Sequence, residues 1–348
     1  MSAQELVDSL LQNLSADSRP PKVIVAVDSG PTIEFSDDKN LIFDMGSLTK
    51  ILSTTSILMK LIEFGELKLE DPILRYLPGK SFERITIRDL LCHRAGLWEW
   101  RPFYIELEDE EELISHIGEL PLRYPINSER HYSDLGFIVL GKVIEKICKD
   151  SLQPIFQEYI ADPLKLRDSR YGNPVELENC VASSYGDRAE YKMLTDNSPY
   201  PVNVNPADFT HWRDYLLQGE VNDGNAFHVM NSASGHAGLF ASIADVMTYG
   251  REVLDSLKGE GFFDKTVVRD FFNFTIDQEQ ALGFQRYQIE TGSRTVTALG
   301  HTGFPGVALA ILPEADQVVG LFSNRLLVSG EPFQTKTALI NILQNQSL

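Results

Sequence analysis

Residues Gly46-Ser47-Leu48-Thr49-Lys50 place a hydroxyl and an amine three positions apart. They stand at the head of a segment in which Leu48, Ile51, Leu52, Thr55, Leu58, Met59 and Ile62 recur with the period of an amphipathic helix, and Gly65 is placed to end it. Ser47 and Lys50 then share a face of the first turn. A serine hydroxyl is a weak nucleophile at its own pKa and needs a neighbour to take its proton. An amine can do so only where burial lowers it from its free value of about 10.4. The same turn offers backbone N–H groups and the positive end of the helix dipole, which suit a developing oxyanion. The spacing alone is not distinctive, because Ser36-Asp37-Asp38-Lys39 repeats it in an acidic stretch with no helical pattern after it. The competing reading of the first pair is an N-cap followed by a surface lysine.

Two further clusters carry side chains of the same kind. Tyr132-Ser133-Asp134 precedes the helical run Leu135 to Ile147, where a phenol could relay a serine's proton and Asp134 could equally be an N-cap. Gly300-His301-Thr302-Gly303-Phe304-Pro305-Gly306 ends one strand candidate and leads to the next. Its small residues would let a substrate lie close to backbone N–H groups. Trp98, Trp100, Phe103 and Tyr104 offer either an apolar rim to a pocket or ordinary helical packing, and His236 between glycines reads as a structural hydrogen-bonding residue.

The elements that must hold these clusters divide the chain. Lys22 to Val27 and Thr32 to Phe35 read as strands joined by the turn Asp28-Ser29-Gly30-Pro31. Further strand candidates lie at Gln285–Ile289, Thr295–Leu299, Val307–Leu312 and Val318–Ser323, followed by a closing helix from about Pro332 to Leu343; these strands should pair into one antiparallel sheet. Between them, helices are expected at Ile87–His93, Glu111–Ile117, Leu135–Ile147 and Leu152–Ile160, with a capped helix beginning at Ser242. The expected fold is thus α/β (α+β), an antiparallel sheet flanked by helices with an inserted all-helical domain. Residues 1–75 and 231–348 would form the sheet domain, and 76–230 the helical one with a long irregular loop over 171–235, a length that is uncommon unless functional or disordered.

Taken in order, Ser-x-x-Lys, Tyr-x-Asp and His-Thr-Gly resemble the signature of the serine β-lactamase and penicillin-binding-protein superfamily. The branch that is similar holds class C β-lactamases, D-alanyl-D-alanine carboxypeptidases and family VIII esterases. Leu90-Leu91-Cys92-His93-Arg94-Ala95-Gly96-Leu97, Gly235-His236-Ala237-Gly238-Leu239-Phe240 and Ser323-Asn324-Arg325 carry the resemblance over nearly the whole chain. It implies a β-lactamase/transpeptidase-like fold in which Ser47 is acylated, Lys50 and Tyr132 share the base and acid roles, and His301 joins them as the head of the third motif. The oxyanion hole would be the N–H groups of Ser47 and Phe304, and Thr302 and Gly303 would line the edge strand against which substrate lies. Two departures stand out. His301 replaces the usual lysine, so anionic substrates lose an anchor near neutral pH. Asp134 replaces the usual asparagine, and a carboxylate there favours the ammonium form of Lys50 and shifts the burden of base to Tyr132.

The expected activity is a serine hydrolase acting on an ester or small amide. The alternatives are a β-lactamase or D-alanyl-D-alanine carboxypeptidase, and a non-catalytic ligand-binding member of the same fold. Composition bounds these readings. With 348 residues, 43% hydrophobic, the chain can bury a large core, and a formal charge of −19 argues against nucleic acid or an anionic membrane as partner. Neither a secretory signal nor an anchor is visible at the N-terminus, and Cys92, Cys148 and Cys180 are an odd, scattered set, so a cytoplasmic protein with reduced thiols is expected. No zinc spacing and no Walker or dinucleotide glycine pattern occurs, so no metal or cofactor is expected, and the partner is a small-molecule substrate.

Overall fold

The unbroken apolar run after Pro21 forms β1 (Val23–Asp28), which turns through Gly30 at φ +94° into β2 (Ile33–Phe35). In the computed structural model, which describes residues 1–107, 110–172, 177–274, 276–291 and 294–346, this hairpin joins the far end of the chain. Strands β8 (Gln285–Thr291), β9 (Arg294–Gly303), β10 (Val307–Leu312) and β11 (Gln317–Ser323) complete a sheet in the order β2-β1-β11-β10-β9-β8. Every pair in it is antiparallel, as expected from the sequence.

The central strands are buried on both faces, so they read as unbroken apolar runs. Ile24, Leu309, Ile311 and Phe322 point to the main core, with the helix Ile243–Lys258 against that face. Val25, Ala308, Ala310 and Leu321 point the other way, toward the terminal helices Ala3–Gln12 and Thr335–Gln344.

A second, smaller sheet escaped the sequence reading. β3 (Ile42–Asp44), β7 (Leu239–Ser242) and β4 (Arg170–Tyr171) pair in the order β3-β7-β4, and each is too short to show a period. This sheet delivers the chain to the first motif, since Met45 N–H donates to the Leu239 carbonyl at 2.9 Å.

The helix that follows differs from a plain amphipathic one. It opens as a 3₁₀ turn (Gly46–Leu48), widens to a π segment (Lys50–Thr55) and becomes α-helical over Ser56–Glu63, with Gly65 at φ +75° after it. Lys50 through Leu61 are buried all round, so the small polar residues do not mark a solvent face. Three of their hydroxyls find partners inside: Thr54 Oγ1 donates to the Gly235 carbonyl and Ser56 Oγ to that of Ile51, both at 2.7 Å, and Ser53 Oγ accepts from the Tyr171 phenol at 2.9 Å. A π segment in this place fits the tendency of such bulges to occur at functional sites.

The middle of the chain carries the expected helices, among them Ile87–Leu91, Leu113–Glu119 and Asp134–Cys148. Within the irregular stretch, of which residues 173–176 lie outside the described residues, the helices Arg188–Thr195 and Gly224–His228 form, and β5 (Ser184–Tyr185) pairs with β6 (Leu216–Leu217). The anchor is a buried ion pair: Arg213 Nη2 lies 2.6 Å from Asp187 Oδ1, and Arg213 Nη1 donates to the Val221 carbonyl at 2.7 Å.

Candidate active site

Asp44, the last residue of β3, accepts the Gly46 N–H at 2.7 Å and, through its other oxygen, the Asn222 N–H at 2.6 Å. It thereby ties the approach to Ser47 to the irregular loop. Gly46 stands at φ +46°, and a Cβ there would lie 2.7 Å from Pro305 Cδ and 3.2 Å from the Phe304 nitrogen. At Gly303 a Cβ would lie 2.3 Å from the Met45 carbonyl oxygen. Two bare backbones therefore let the 3₁₀ turn bearing Ser47 press against the end of β9, with the Phe304 nitrogen close to that turn.

Lys50 is fully buried and donates to Ser47 Oγ at 2.8 Å and to the His236 carbonyl at 3.2 Å, while its ammonium lies 2.7 Å from Asp134 Oδ1. The Tyr132 phenol lines the same cleft as Ser47, and the Lys50 ammonium sits 5.0 Å from the phenol ring centroid. Three separate stretches thus meet around one hydroxyl. Burial draws the Lys50 amine down, but the charges of Asp134 and Tyr132 more than offset it and hold the group above the ordinary 10.5. Burial lifts the Tyr132 phenol above 10.0, opposed by Lys50 and assisted by Asp134. At neutral pH Lys50 rests as the ammonium and Tyr132 as the phenol, with the ammonium orienting the serine oxygen.

His93 sits behind Tyr132 and brackets it. Its Nδ1 accepts the Ser133 N–H at 3.0 Å, its carbonyl accepts the His131 N–H at 2.9 Å, and its ring lies 4.6 Å from that of Tyr132. The residue adopts φ +57°, an unusual conformation for a side chain other than glycine, asparagine or aspartate. Ser133, rather than Asp134, caps the following helix by accepting the Gly136 N–H. Asp134 is thereby left to pair with Lys50.

His301 does not line the cleft above Ser47. It is fully buried on β9, its Nδ1 lies 2.7 Å from the Thr302 carbonyl oxygen, and its ring is 5.8 Å from that of Tyr132. Burial, with the Lys50 charge, lowers it to about 3, so it is neutral across the physiological range. Thr302, Gly303 and Phe304 do line the cleft. β9 is the second strand from the sheet's end, yet β8 reaches only to Gln285, opposite Gly300, so Thr302 and Gly303 run beyond their neighbour as a local edge.

The cleft has a volume of about 360 Å³. Beside Ser47, Tyr132 and Asp134, its walls include Trp100, Glu190, Met193, Asn222, Asp223 and Arg325, most of them invisible to motif reasoning. Of the four aromatic candidates only Trp100 reaches it; Phe103 and Tyr104 are buried in packing, and Trp98 lies under the guanidinium of Arg123, 4.8 Å from its ring. His236 bonds as expected, Nδ1 with Ser234 Oγ at 2.7 Å and Nε2 with Asp223 Oδ1 at 3.0 Å.

This antiparallel sheet with its helices and its buried Ser-x-x-Lys turn is the β-lactamase/transpeptidase architecture. It is shared at a TM-score of 0.68 with EstCE1, a hydrolase with promiscuous acyltransferase activity, at 18% identity over 97% of this chain and 96% of that one. A class C β-lactamase from Rhodobacter sphaeroides superposes at a TM-score of 0.67 with 17% identity, over 97% of each chain. The chain belongs to the β-lactamase family, whose profile, described as Beta-lactamase, matches residues 23–342, and it is a hydrolase of that family. Among curated relatives, an N-acetylmuramyl-L-alanine amidase of Bacillus subtilis (strain 168) is 28% identical over 313 residues, 81% of this chain and 68% of its own. A putative D-alanyl-D-alanine carboxypeptidase of Escherichia coli (strain K12) is 27% identical over 321 residues, 82% of this chain and 69% of its own. No helix among the described residues is long and apolar enough to cross a membrane.

Proposed function

We propose that the protein hydrolyses an ester or small amide through an acyl-enzyme on Ser47. The observation that carries this is the Ser47 hydroxyl held at 2.8 Å by a fully buried Lys50 in a cleft that the adjacent Gly303–Phe304 backbone also lines. In the form in which one proton has left the Lys50–Tyr132 pair, Ser47 Oγ attacks the acyl carbon and its proton passes to the Tyr132 oxygen. The Ser47 and Phe304 N–H groups take the oxyanion charge, and Thr302 and Gly303 align the substrate. Collapse breaks the bond to the leaving group, which departs with the Tyr132 proton; water then repeats the sequence and releases the acid. Lys50 stays cationic and steadies the developing charges, Asp134 holds it there, and His301 acts through Tyr132 as a neutral packing surface. A cytoplasmic setting goes with this reading.

The test is intact-mass analysis after a fluorophosphonate, with Ser47→Ala as the blank. One adduct on Ser47 is expected, and a protein that stays unlabelled would instead be a ligand-binding member of the fold. The names of the curated relatives favour a second reading, a D-alanyl-D-alanine carboxypeptidase or β-lactamase. Turnover of a chromogenic cephalosporin above that of a short-chain nitrophenyl ester would select it.

A further inference from the structure

The Lys50 ammonium carries three N–H bonds and meets three acceptors: Ser47 Oγ at 2.8 Å, Asp134 Oδ1 at 2.7 Å and the His236 carbonyl at 3.2 Å. The first is the proposed nucleophile and the second a carboxylate that favours the cation. The third is a backbone oxygen 186 residues away, so the direction of the N–H left for Ser47 depends on what holds the chain there. Gly235 fixes one side of that segment. Its carbonyl accepts from Thr54 Oγ1 at 2.7 Å, and a Cβ on it would lie 2.1 Å from the Phe137 carbonyl oxygen.

The other side is fixed by the His236 ring, which is buried and engaged at both nitrogens. Nδ1 lies 2.7 Å from Ser234 Oγ, two residues back in the same turn, and Nε2 lies 3.0 Å from Asp223 Oδ1, on a different segment. Asp223 is itself anchored, since its Oδ1 accepts the Ala226 N–H at 2.8 Å as the cap of the helix Gly224–His228. Burial works against its charged form, but His236 and the Ala226 N–H outweigh that and hold it below the ordinary carboxylate range. A carboxylate oxygen only accepts, so Nε2 carries a hydrogen whatever the charge of the ring, while the Ser234 hydroxyl can turn to serve either form. The Asp223 bond is therefore the one that ties the ring to the rest of the molecule.

We propose that His236 is a positioning residue for the acyl transfer: its ring, clamped by Asp223, holds its own backbone oxygen against the Lys50 ammonium and so aims the remaining N–H at Ser47. The assignment goes beyond the structural role read from the sequence and rests on the hydrolase reading of Ser47. It gives the histidine a physical reason to stand where it does. Neither Gly235 nor Ala237 has a polar side chain that could pin that oxygen, and without the clamp the turn is free to swing it away from Lys50.

Three variants separate the two ring bonds. His236→Gln keeps a donor near the place of Nε2, His236→Asn keeps a polar atom near that of Nδ1, and His236→Leu keeps neither; all three are uncharged, so comparisons among them carry no difference in charge. Labelling of Ser47 by a fluorophosphonate is expected within about threefold of the parent in His236→Gln and about tenfold slower in His236→Asn and His236→Leu. Turnover of a short-chain nitrophenyl ester should fall in step, in kcat and not in KM. In the two slow variants the rising limb of labelling rate against pH should lie about half a unit toward acid of that in His236→Gln, because an ammonium short of an acceptor gives up its proton sooner. The other titratable groups that face Lys50, namely Asp134, Tyr132, His93, His301 and Asp223, are common to all of these proteins. Equal rates and limbs in the three variants overturn the positioning role, and if His236→Leu does not fold, His236→Asn against His236→Gln decides. A readout free of turnover is the side-chain ammonium NMR signal of Lys50, identified by its loss in Lys50→Met. It should persist in His236→Gln and broaden through exchange in His236→Asn. Persistence in both overturns the proposal even in a protein that hydrolyses nothing, whereas a parent that is neither labelled nor active removes the hydrolase reading alone.

Discussion

The cleft has two walls of different origin. One is made of Gly46-Ser47, Tyr132, Asp134 and Thr302 to Phe304, short stretches at the end or start of a helix or strand, held by contacts below 3 Å such as Gly46 to Asp44, Ser47 to Lys50 and Asp134 to Lys50. The other is made of Trp100, Glu190, Met193, Asn222, Asp223 and the Gln334–Lys336 turn, drawn from loops that only tertiary packing brings together. The first wall is rigid because a glycine fits where a Cβ would collide and a buried cation meets its carboxylate. The second is fixed at a few points, chiefly Arg213–Asp187 and the Asp44 bridge to Asn222. On the proposed acyl-enzyme mechanism bond-making falls to the first wall and choice of substrate to the second, so substitutions in the two should separate into effects on kcat and on KM.

The largest effect is expected at Lys50. Lys50→Met should lower kcat by about 10³-fold and also lower Tm, because it strands Asp134 beside an apolar side chain. Adding Asp134→Asn should restore much of the Tm and none of the activity; recovery of turnover in the double variant would show that the ammonium matters for folding alone. Next comes Gly303→Ala, whose Cβ has no room beside the Met45 carbonyl. Forcing β9 away from the Ser47 turn should cost about 10²-fold in kcat and slow fluorophosphonate labelling in parallel. Labelling at the parent rate would argue that Phe304 has no part in the oxyanion hole. On the second wall, Arg213→Met breaks an ion pair whose side chains are 3% and 1% exposed, and should cost about 3 kcal/mol of stability. Steady-state kinetics on the surviving folded protein should show KM raised about tenfold with kcat within about threefold of the parent. A fall in kcat at unchanged KM would erase the distinction between the walls.

The same division governs what could be read from the sequence. β1, β2 and β8 to β11 were legible because short apolar runs bounded by turn residues are local properties, and the long helices because their caps and periods are. β3 and β7 were not, being three and four residues long with no room for a period. Nor was the π segment at Lys50–Thr55, because an extra residue per turn leaves no mark on an apolar stripe that is buried on all sides. Ser47, Lys50, Tyr132 and Asp134 do meet, as their motifs suggested. His301 stands apart: its motif position was visible, but its inward direction depends on the strand's register with β10, where it pairs with Leu309. Arg325 was present in the Ser323-Asn324-Arg325 stretch, yet its place in the cleft follows from its hold on Phe304 and Phe333, residues distant from each other in the chain.

The smallest change should come from Asp134→Asn, and it is a displacement along the pH axis more than a loss of rate. Asp134 raises both candidate proton carriers: it opposes the downward pull of burial on Lys50, and it adds to the upward push of burial on Tyr132. Removing its charge lowers both, so whichever group must shed a proton before Ser47 attacks does so at lower pH. The rising limb of kcat/KM should therefore move toward acid by about one unit, with the plateau little altered. The stability effect runs with it. In the parent, Lys50 is held above its unfolded value, so the pair stabilises the fold below about pH 10.4 and loses that contribution as pH climbs through the folded value. In the variant burial acts on Lys50 unopposed by Asp134, so Tm at pH 7 should drop. A rate profile that stays in place while Tm drops would leave Asp134 a structural partner of Lys50 and return the first wall's acid–base chemistry to groups beyond its reach.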